Sequence, residues 1–133
     1  MNQKIIIWLL RVIAAVIMLQ TLYFKFSAAP ESVYIFSKLG LEPYGRISIG
    51  VLELIASVLI LIPITSALGA LLAMGLMTGA IFSHATQLGI IVMDDGGQLF
   101  IYAILVFLSS LILFIKQRKE LYQVVHLNEK YWI

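Results

Sequence analysis

The fold is decided by residues 67–88, which read ALGALLAMGLMTGAIFSHATQL. No Asp, Glu, Lys or Arg interrupts this stretch. Its length is close to the roughly 20 apolar residues that an α-helix needs to cross a lipid bilayer. The stretch is therefore predicted to be a transmembrane helix.

Three further apolar runs lie at about residues 5–24, 47–63 and 99–115. Hydrophobic residues make up 62% of the 133-residue chain and charged residues only 12%, whereas soluble proteins have roughly 25% charged residues. A water-soluble domain of this size could not bury so much apolar surface. We expect an all-α membrane protein, a four-transmembrane-helix bundle that forms a single domain over residues 1–133.

The segments outside the four runs predict two further helices. Pro30 suits the first turn of a short helix and Gly40 suits its end, so a helix of about ten residues is expected in the membrane interface between the first and second spans. The tail after Lys116 alternates charged and apolar residues. It is expected to continue as an interfacial helix.

Basic residues indicate the orientation, since four spans put both termini on one side. Five flank that side and three flank the other: Lys4, Lys116, Arg118, Lys119 and Lys130 against Lys25, Lys38 and Arg46. Cytoplasmic loops carry the excess of Lys and Arg. Both termini are therefore expected in the cytoplasm. The lipid bilayer is the main expected partner of the chain.

Polar side chains within apolar spans are costly and need a reason. Glu53 lies near the middle of the second span, and its short side chain cannot reach water. We expect it to face the bundle interior and to meet a polar group from another helix, with Arg11, Lys25, His84 or Tyr102 as candidates. Depth favours the last three over Arg11, for which a role as an interface anchor and a buried role both stay open.

The depths of these groups predict a buried polar layer to which all four spans contribute. Its candidate members by depth are Gln20, Lys25, Glu53, His84 and Tyr102, and Arg11 is added as a further candidate although it should lie nearer the cytoplasmic face. A histidine and a carboxylate in a low dielectric can relay protons or hydrogen-bond a quinone head group. A polar network that only fixes helix register is the alternative.

Several classes of site have no support in the sequence. The chain has no cysteine, which removes thiolate ligands and disulfides. Its two histidines, His84 and His126, are expected on opposite sides of the membrane, so no metal site is predicted. No basic patch interleaved with aromatic residues indicates a nucleic-acid partner.

Small residues recur at four-residue spacing in the third span, at Gly69 and Ala73 and again at Gly75 and Gly79. Such residues let helix backbones approach closely in lipid. Packing within one bundle is the expected role of both pairs, and homo-oligomer formation through this face is the alternative.

The order of the polar residues resembles the DoxX-like family of four-helix membrane proteins over roughly residues 5–115. The segments that carry the resemblance are Leu9-Leu10-Arg11, Phe24-Lys25-Phe26, Gly50-Val51-Leu52-Glu53-Leu54, Ala67-Leu68-Gly69-Ala70 and Ala80-Ile81-Phe82-Ser83-His84. The resemblance implies a four-helix bundle in a bacterial cytoplasmic membrane.

Two functions follow from the resemblance together with the polar layer. The first is a redox-linked, quinone-associated subunit of a membrane oxidoreductase complex. The second is a non-catalytic subunit that assembles or stabilises another membrane complex, a chaperone-like role with a membrane protein partner. The sequence names neither a substrate nor a catalytic residue.

Overall fold

A computed structural model describes the backbone of residues 2–132 and the side chains of residues 2–119. Within that part the α-helices are α1 (Gln3–Phe26), α2 (Pro30–Lys38), α3 (Tyr44–Leu61), α4 (Ser66–Ser83) and α5 (Gln98–Trp132). A 3-10 turn (Pro63–Thr65) precedes α4, and a π-helical turn (His84–Leu88) follows it.

The four apolar runs correspond to four helical segments long and apolar enough to cross a membrane. These segments are Gln3–Phe26, Tyr44–Leu61, Pro63–Leu88 and Gln98–Lys119. The described backbone contains no strand. The predicted fold class is confirmed, including the short helix between the first two spans.

The long helices form a four-helix bundle in which α1 and α4 each pack against both α3 and α5. Alanines bring the helices close together, and larger side chains such as Met18, Ile60 and Leu113 fill the centre. Many large apolar side chains on the outside are exposed. Such an exterior suits lipid, which is as apolar as the side chains themselves.

Local sequence explains how α2 begins and ends. Pro30 occupies its first turn, where a missing N–H costs nothing, and Glu31 lies near the positive end of the helix dipole. After Lys38 the chain leaves the helix through Gly40, whose φ of +73° favours glycine. The helix packs on α1, on α3 and on the π-helical turn.

The small residues of α4 do not all pack as predicted. A Cβ at Gly69 would lie 2.7 Å from the backbone nitrogen of Ile60, and Ala73 is fully buried, so this pair does face the bundle. Gly75 and Gly79 are exposed, and a Cβ at either would meet no atom within 4 Å. The prediction that they pack within the bundle is wrong, because they lie on another face of the helix.

The tail continues α5 without a break, so that this helix has 35 residues. At 1.5 Å per residue it is roughly 52 Å long, against about 30 Å of hydrocarbon in a bilayer. The expected interfacial placement of the tail depends on side chains beyond Lys119, which lie outside the described residues.

Candidate functional site

A cavity of about 610 Å³ lies in the half of the bundle that is next to α2, away from the N-terminus. Residues of all five α-helices, α1 to α5, line the cavity, and so do residues of the loop before α5. The predicted polar residues on its wall are Gln20, Lys25, Glu53, His84 and Tyr102. The volume falls within the range of small-molecule sites in proteins.

An ion pair between α1 and α3 forms one wall. Lys25 Nζ lies 3.2 Å from Glu53 Oε2, and Thr21 Oγ1 lies 3.2 Å from the same oxygen, with its hydroxyl hydrogen shared between Glu53 and the carbonyl oxygen of Met18 at 2.9 Å. Glu53 is only 4% exposed. Lysine from the neighbouring helix is therefore the polar partner of the carboxylate, as depth favoured.

Arg46 holds the end of α1 that carries this lysine. Its guanidinium donates to Glu42 at 2.8 Å and also donates to the backbone carbonyl of Lys25. That carbonyl belongs to the last turn of α1, where carbonyls have no partner within the helix. Arg46 thus joins the start of α3 to the end of α1 and fixes the backbone position of Lys25.

His84 lies on the wall contributed by the third span, where it opens the π-helical turn and is 5% exposed. Its Nδ1 is 2.9 Å from the carbonyl oxygen of Gly89. Because a carbonyl oxygen only accepts, Nδ1 carries the hydrogen and Nε2 of the neutral ring is an acceptor. Nε2 has no hydrogen-bond partner among the described residues, and π-helical turns often occur at functional sites.

Asp95 organises the loop that closes this side of the cavity. Its carboxylate accepts hydrogen bonds from the backbone N–H groups of Val92, Gly97 and Leu99. Burial alone would raise the pKa of Asp95, but these three donors, helped by the nearby His84, outweigh burial and lower it. The loop therefore contains a stably ionised carboxylate.

Two polar groups of the predicted layer are less buried. Tyr102 is half-buried, and its hydroxyl oxygen accepts a hydrogen bond from Gln98 Nε2 at 2.7 Å. No described residue accepts the hydroxyl hydrogen, which leaves it free to donate into the cavity. Gln20 is exposed, yet it too lines the cavity.

Arg11 does not belong to this site. It is buried near the other end of the bundle, where it donates to Ser66 Oγ at 3.2 Å and to Gln117 Oε1 at 2.9 Å. Its guanidinium also lies 4.6 Å from the ring centre of Trp8. Fourteen residues, or roughly 21 Å of helix, separate Arg11 from Lys25. Including it in the layer was wrong for that reason.

Sequence reasoning missed several residues that the structure places in or beside the polar sites. Thr21 lies one turn before Lys25 on the same face of α1, a spacing that the sequence contains. Asp95, in the loop before α5, was not among the predicted site residues. Nothing local in the sequence indicates that Ser66 and Gln117 meet Arg11, because each comes from a different helix.

The fold and the cavity together define a class: a multi-pass membrane protein with a partly open, partly polar site among its helices. The chain belongs to the DoxX-like family, whose sequence model matches residues 9–113. The match includes every residue of the predicted polar layer and ends before the last part of α5. No curated protein and no solved structure matches the chain.

Proposed function

We propose that this protein binds a quinone in the cavity and acts as a redox-linked subunit of a membrane oxidoreductase complex. One observation carries the proposal: a cavity of about 610 Å³ whose largely apolar lining includes polar groups from several helices. A quinone has the matching shape, since a flat polar head is attached to an apolar chain.

The polar groups suit a quinone head. Quinone carbonyls accept hydrogen bonds, and the free hydroxyl hydrogen of Tyr102 is a donor on the cavity wall. A quinol hydroxyl donates, and His84 Nε2 is an acceptor on the wall formed by the third span. Apolar side chains such as Ile17, Met77 and Val106 line the rest.

In this proposal the chain itself supplies binding and orientation. A bound quinone would carry the electrons and protons that are exchanged with a partner protein. Tyr102 would orient one carbonyl, and His84 would hold or release a proton at Nε2. Met77 and Val106 would exclude water from the ring.

Two glycines of α4 offer a matched test. Gly79 lines the cavity and Gly75 does not, although both are exposed and both have open space where a Cβ would lie. Gly79→Leu should fill part of the cavity and weaken binding of decyl-benzoquinone in nanodiscs at least tenfold, measured by calorimetric titration. Gly75→Leu should bind as the parent does.

The same three purified proteins should differ in the amount of quinone that they retain from the cell membrane. Quinone extracted from the parent and from Gly75→Leu should exceed that from Gly79→Leu by a similar factor, measured by chromatography. Equal binding and equal content in all three proteins would contradict the proposal.

The length of α5 favours the second candidate function, a non-catalytic subunit that assembles another complex. At about 1.5 Å per residue its 35 residues exceed the roughly 30 Å of hydrocarbon in a bilayer, and we propose that a protein partner binds the excess on the side of the termini. A photo-crosslinker at position 125 should then capture a membrane protein in native membranes, while one at position 90 in the opposite loop should not. Capture without any bound quinone would favour this function over the first.

We also propose a bacterial cytoplasmic membrane as the location, with both termini in the cytoplasm. The family resemblance supports the membrane, and the excess of basic residues at the end that holds the termini supports the orientation. The cavity would then lie in the outer half of the bilayer.

A further inference from the structure

The charges on the cavity wall limit the kind of head group that it can accept. Charged residues that line the cavity are Lys25, Glu31, Glu53 and Asp95. Apart from His84, the described residues of the wall include one basic side chain and three carboxyl groups. We infer that the cavity selects amphiphiles with an electrically neutral head and rejects those with an anionic head, an inference that rests on the proposed binding site.

Among the described residues of the wall, the one lysine is already paired with a carboxylate. Lys25 forms its ion pair with Glu53 at 3.2 Å, and both side chains are largely buried. An anionic head could reach the ammonium only by displacing Glu53, which would leave a second negative charge without a partner. A buried charge whose partner is removed is strongly destabilising.

The other nearby cation is unavailable for a different reason. Arg46 does not line the cavity, and its guanidinium is occupied by Glu42 and by the carbonyl of Lys25. Because Glu42 already balances the charge of Arg46, an anion within the cavity would gain little electrostatic attraction from this arginine. It would lose its hydration without meeting an uncommitted basic side chain among the described residues of the wall.

A cationic head gains little from the three carboxylates. Glu53 is neutralised by Lys25, and Asp95 is stabilised by three backbone N–H groups. Glu31 is exposed, where water and salt screen its charge. No buried carboxylate on the wall is left without compensation.

Neutral groups do find partners. The Tyr102 hydroxyl hydrogen is a free donor, and His84 Nε2 is a free acceptor. A carbonyl or a hydroxyl can use either of them without any ion pair being broken. The cavity wall therefore favours neutral head groups that form hydrogen bonds and disfavours charged ones.

Competition among probes of one chain length tests this selectivity. Decanol, decylsulfonate and decyltrimethylammonium are each used to displace decyl-benzoquinone from the protein in nanodiscs, with partitioning into empty nanodiscs subtracted. Decanol should displace the quinone at a concentration at least tenfold lower than either charged probe requires.

A charge variant sharpens the test. Glu53→Gln removes the partner of Lys25, so decylsulfonate should gain about tenfold while decanol changes little. Glu42→Gln is the matched control, because it breaks an ion pair that does not line the cavity and should leave the ranking as in the parent. The parent ranking stands as the test if Glu53→Gln fails to fold.

The outcomes separate the two proposals. Equal displacement by decylsulfonate and decanol, or tightest binding of the cation, would overturn the neutral selectivity while leaving the cavity as a binding site. If Gly79→Leu binds all probes as the parent does, the proposed site itself is wrong. Decylsulfonate that gains equally in Glu53→Gln and Glu42→Gln would also overturn the inference.

Discussion

At the scale of the residue, the ion pair between Lys25 and Glu53 joins two largely buried charges on the cavity wall. Both charges are held away from water, and each depends on the other. Lys25→Met should lower the free energy of unfolding by about 3–5 kcal/mol, because the carboxylate of Glu53 would lose its partner. Replacing both residues, as Lys25→Met with Glu53→Leu, should restore most of the loss, since no charge then remains buried.

Thermal unfolding in detergent measures both variants. Lys38→Met is the control, because Lys38 is an exposed lysine outside the bundle and should change stability little. A double variant that is less stable than Lys25→Met alone would show that the pair is not coupled as the structure implies.

Asp95 predicts a pH dependence at the same scale. Its pKa in the folded protein is lowered, so its contribution to stability is complete above the unfolded pKa of about 3.9 and is lost as pH falls through the folded pKa. As pH falls below about 4 and on through the folded pKa, the amides of Val92, Gly97 and Leu99 should lose protection from hydrogen exchange, measured relative to the intrinsic exchange rate at each pH. Asp95→Asn should exchange faster already at neutral pH and lose this pH dependence, while Asp94→Asn, at a carboxylate that accepts none of these bonds, should behave as the parent does.

At the scale of the element, α4 separates two pairs of small residues by their faces. Gly69→Leu would force a side chain onto the backbone of α3, where a Cβ already meets the carbonyl oxygen of Ala56 at 2.9 Å. We expect it to cost at least 1–3 kcal/mol, the usual penalty of overpacking. Gly75→Leu meets open space and should be neutral or stabilising, since glycine is a poor helix former. Unfolding in detergent measures both, and equal losses would mean that α4 is rotated from its position here.

The helices could be predicted from the sequence because apolar length is a sufficient signal in a membrane protein. The face that each helix buries could not, since α4 is apolar on all sides and a pattern without a polar stripe has no direction. Helix geometry alone predicts that Gly69 and Gly75 lie on different faces of α4, because six residues at 100° per residue separate them by about 120° around the helix axis. The pairing of Lys25 with Glu53 was within reach, since depth along the helix follows from residue counting.

At the scale of the whole molecule, two polar centres lie at opposite ends of one apolar bundle. One centre is the cluster of Arg11, Ser66 and Gln117, and the other is the cavity next to α2, at a different depth in the bundle. Sequence reasoning added Arg11 to the layer although residue counting already places it about 21 Å from Lys25; what the sequence lacked was the partners of Arg11, which come from two other helices. The separation matters for function, since only the site next to α2 combines polar groups with space for a ligand.

The orientation of the bundle decides which side of the membrane that site serves, and it is the last prediction. The chain has no cysteine, so single cysteines report without background. Gln3→Cys near the N-terminus and Ser37→Cys in α2 are both at exposed positions on opposite ends of the bundle. With the termini in the cytoplasm, a membrane-impermeant maleimide should label residue 37 in intact cells and residue 3 only after permeabilisation, read out by gel shift.

Labelling of residue 3 but not residue 37 in intact cells would reverse the orientation. The cavity would then open toward the cytoplasmic half of the bilayer, and a partner oxidoreductase would have to be sought on the other side of the membrane.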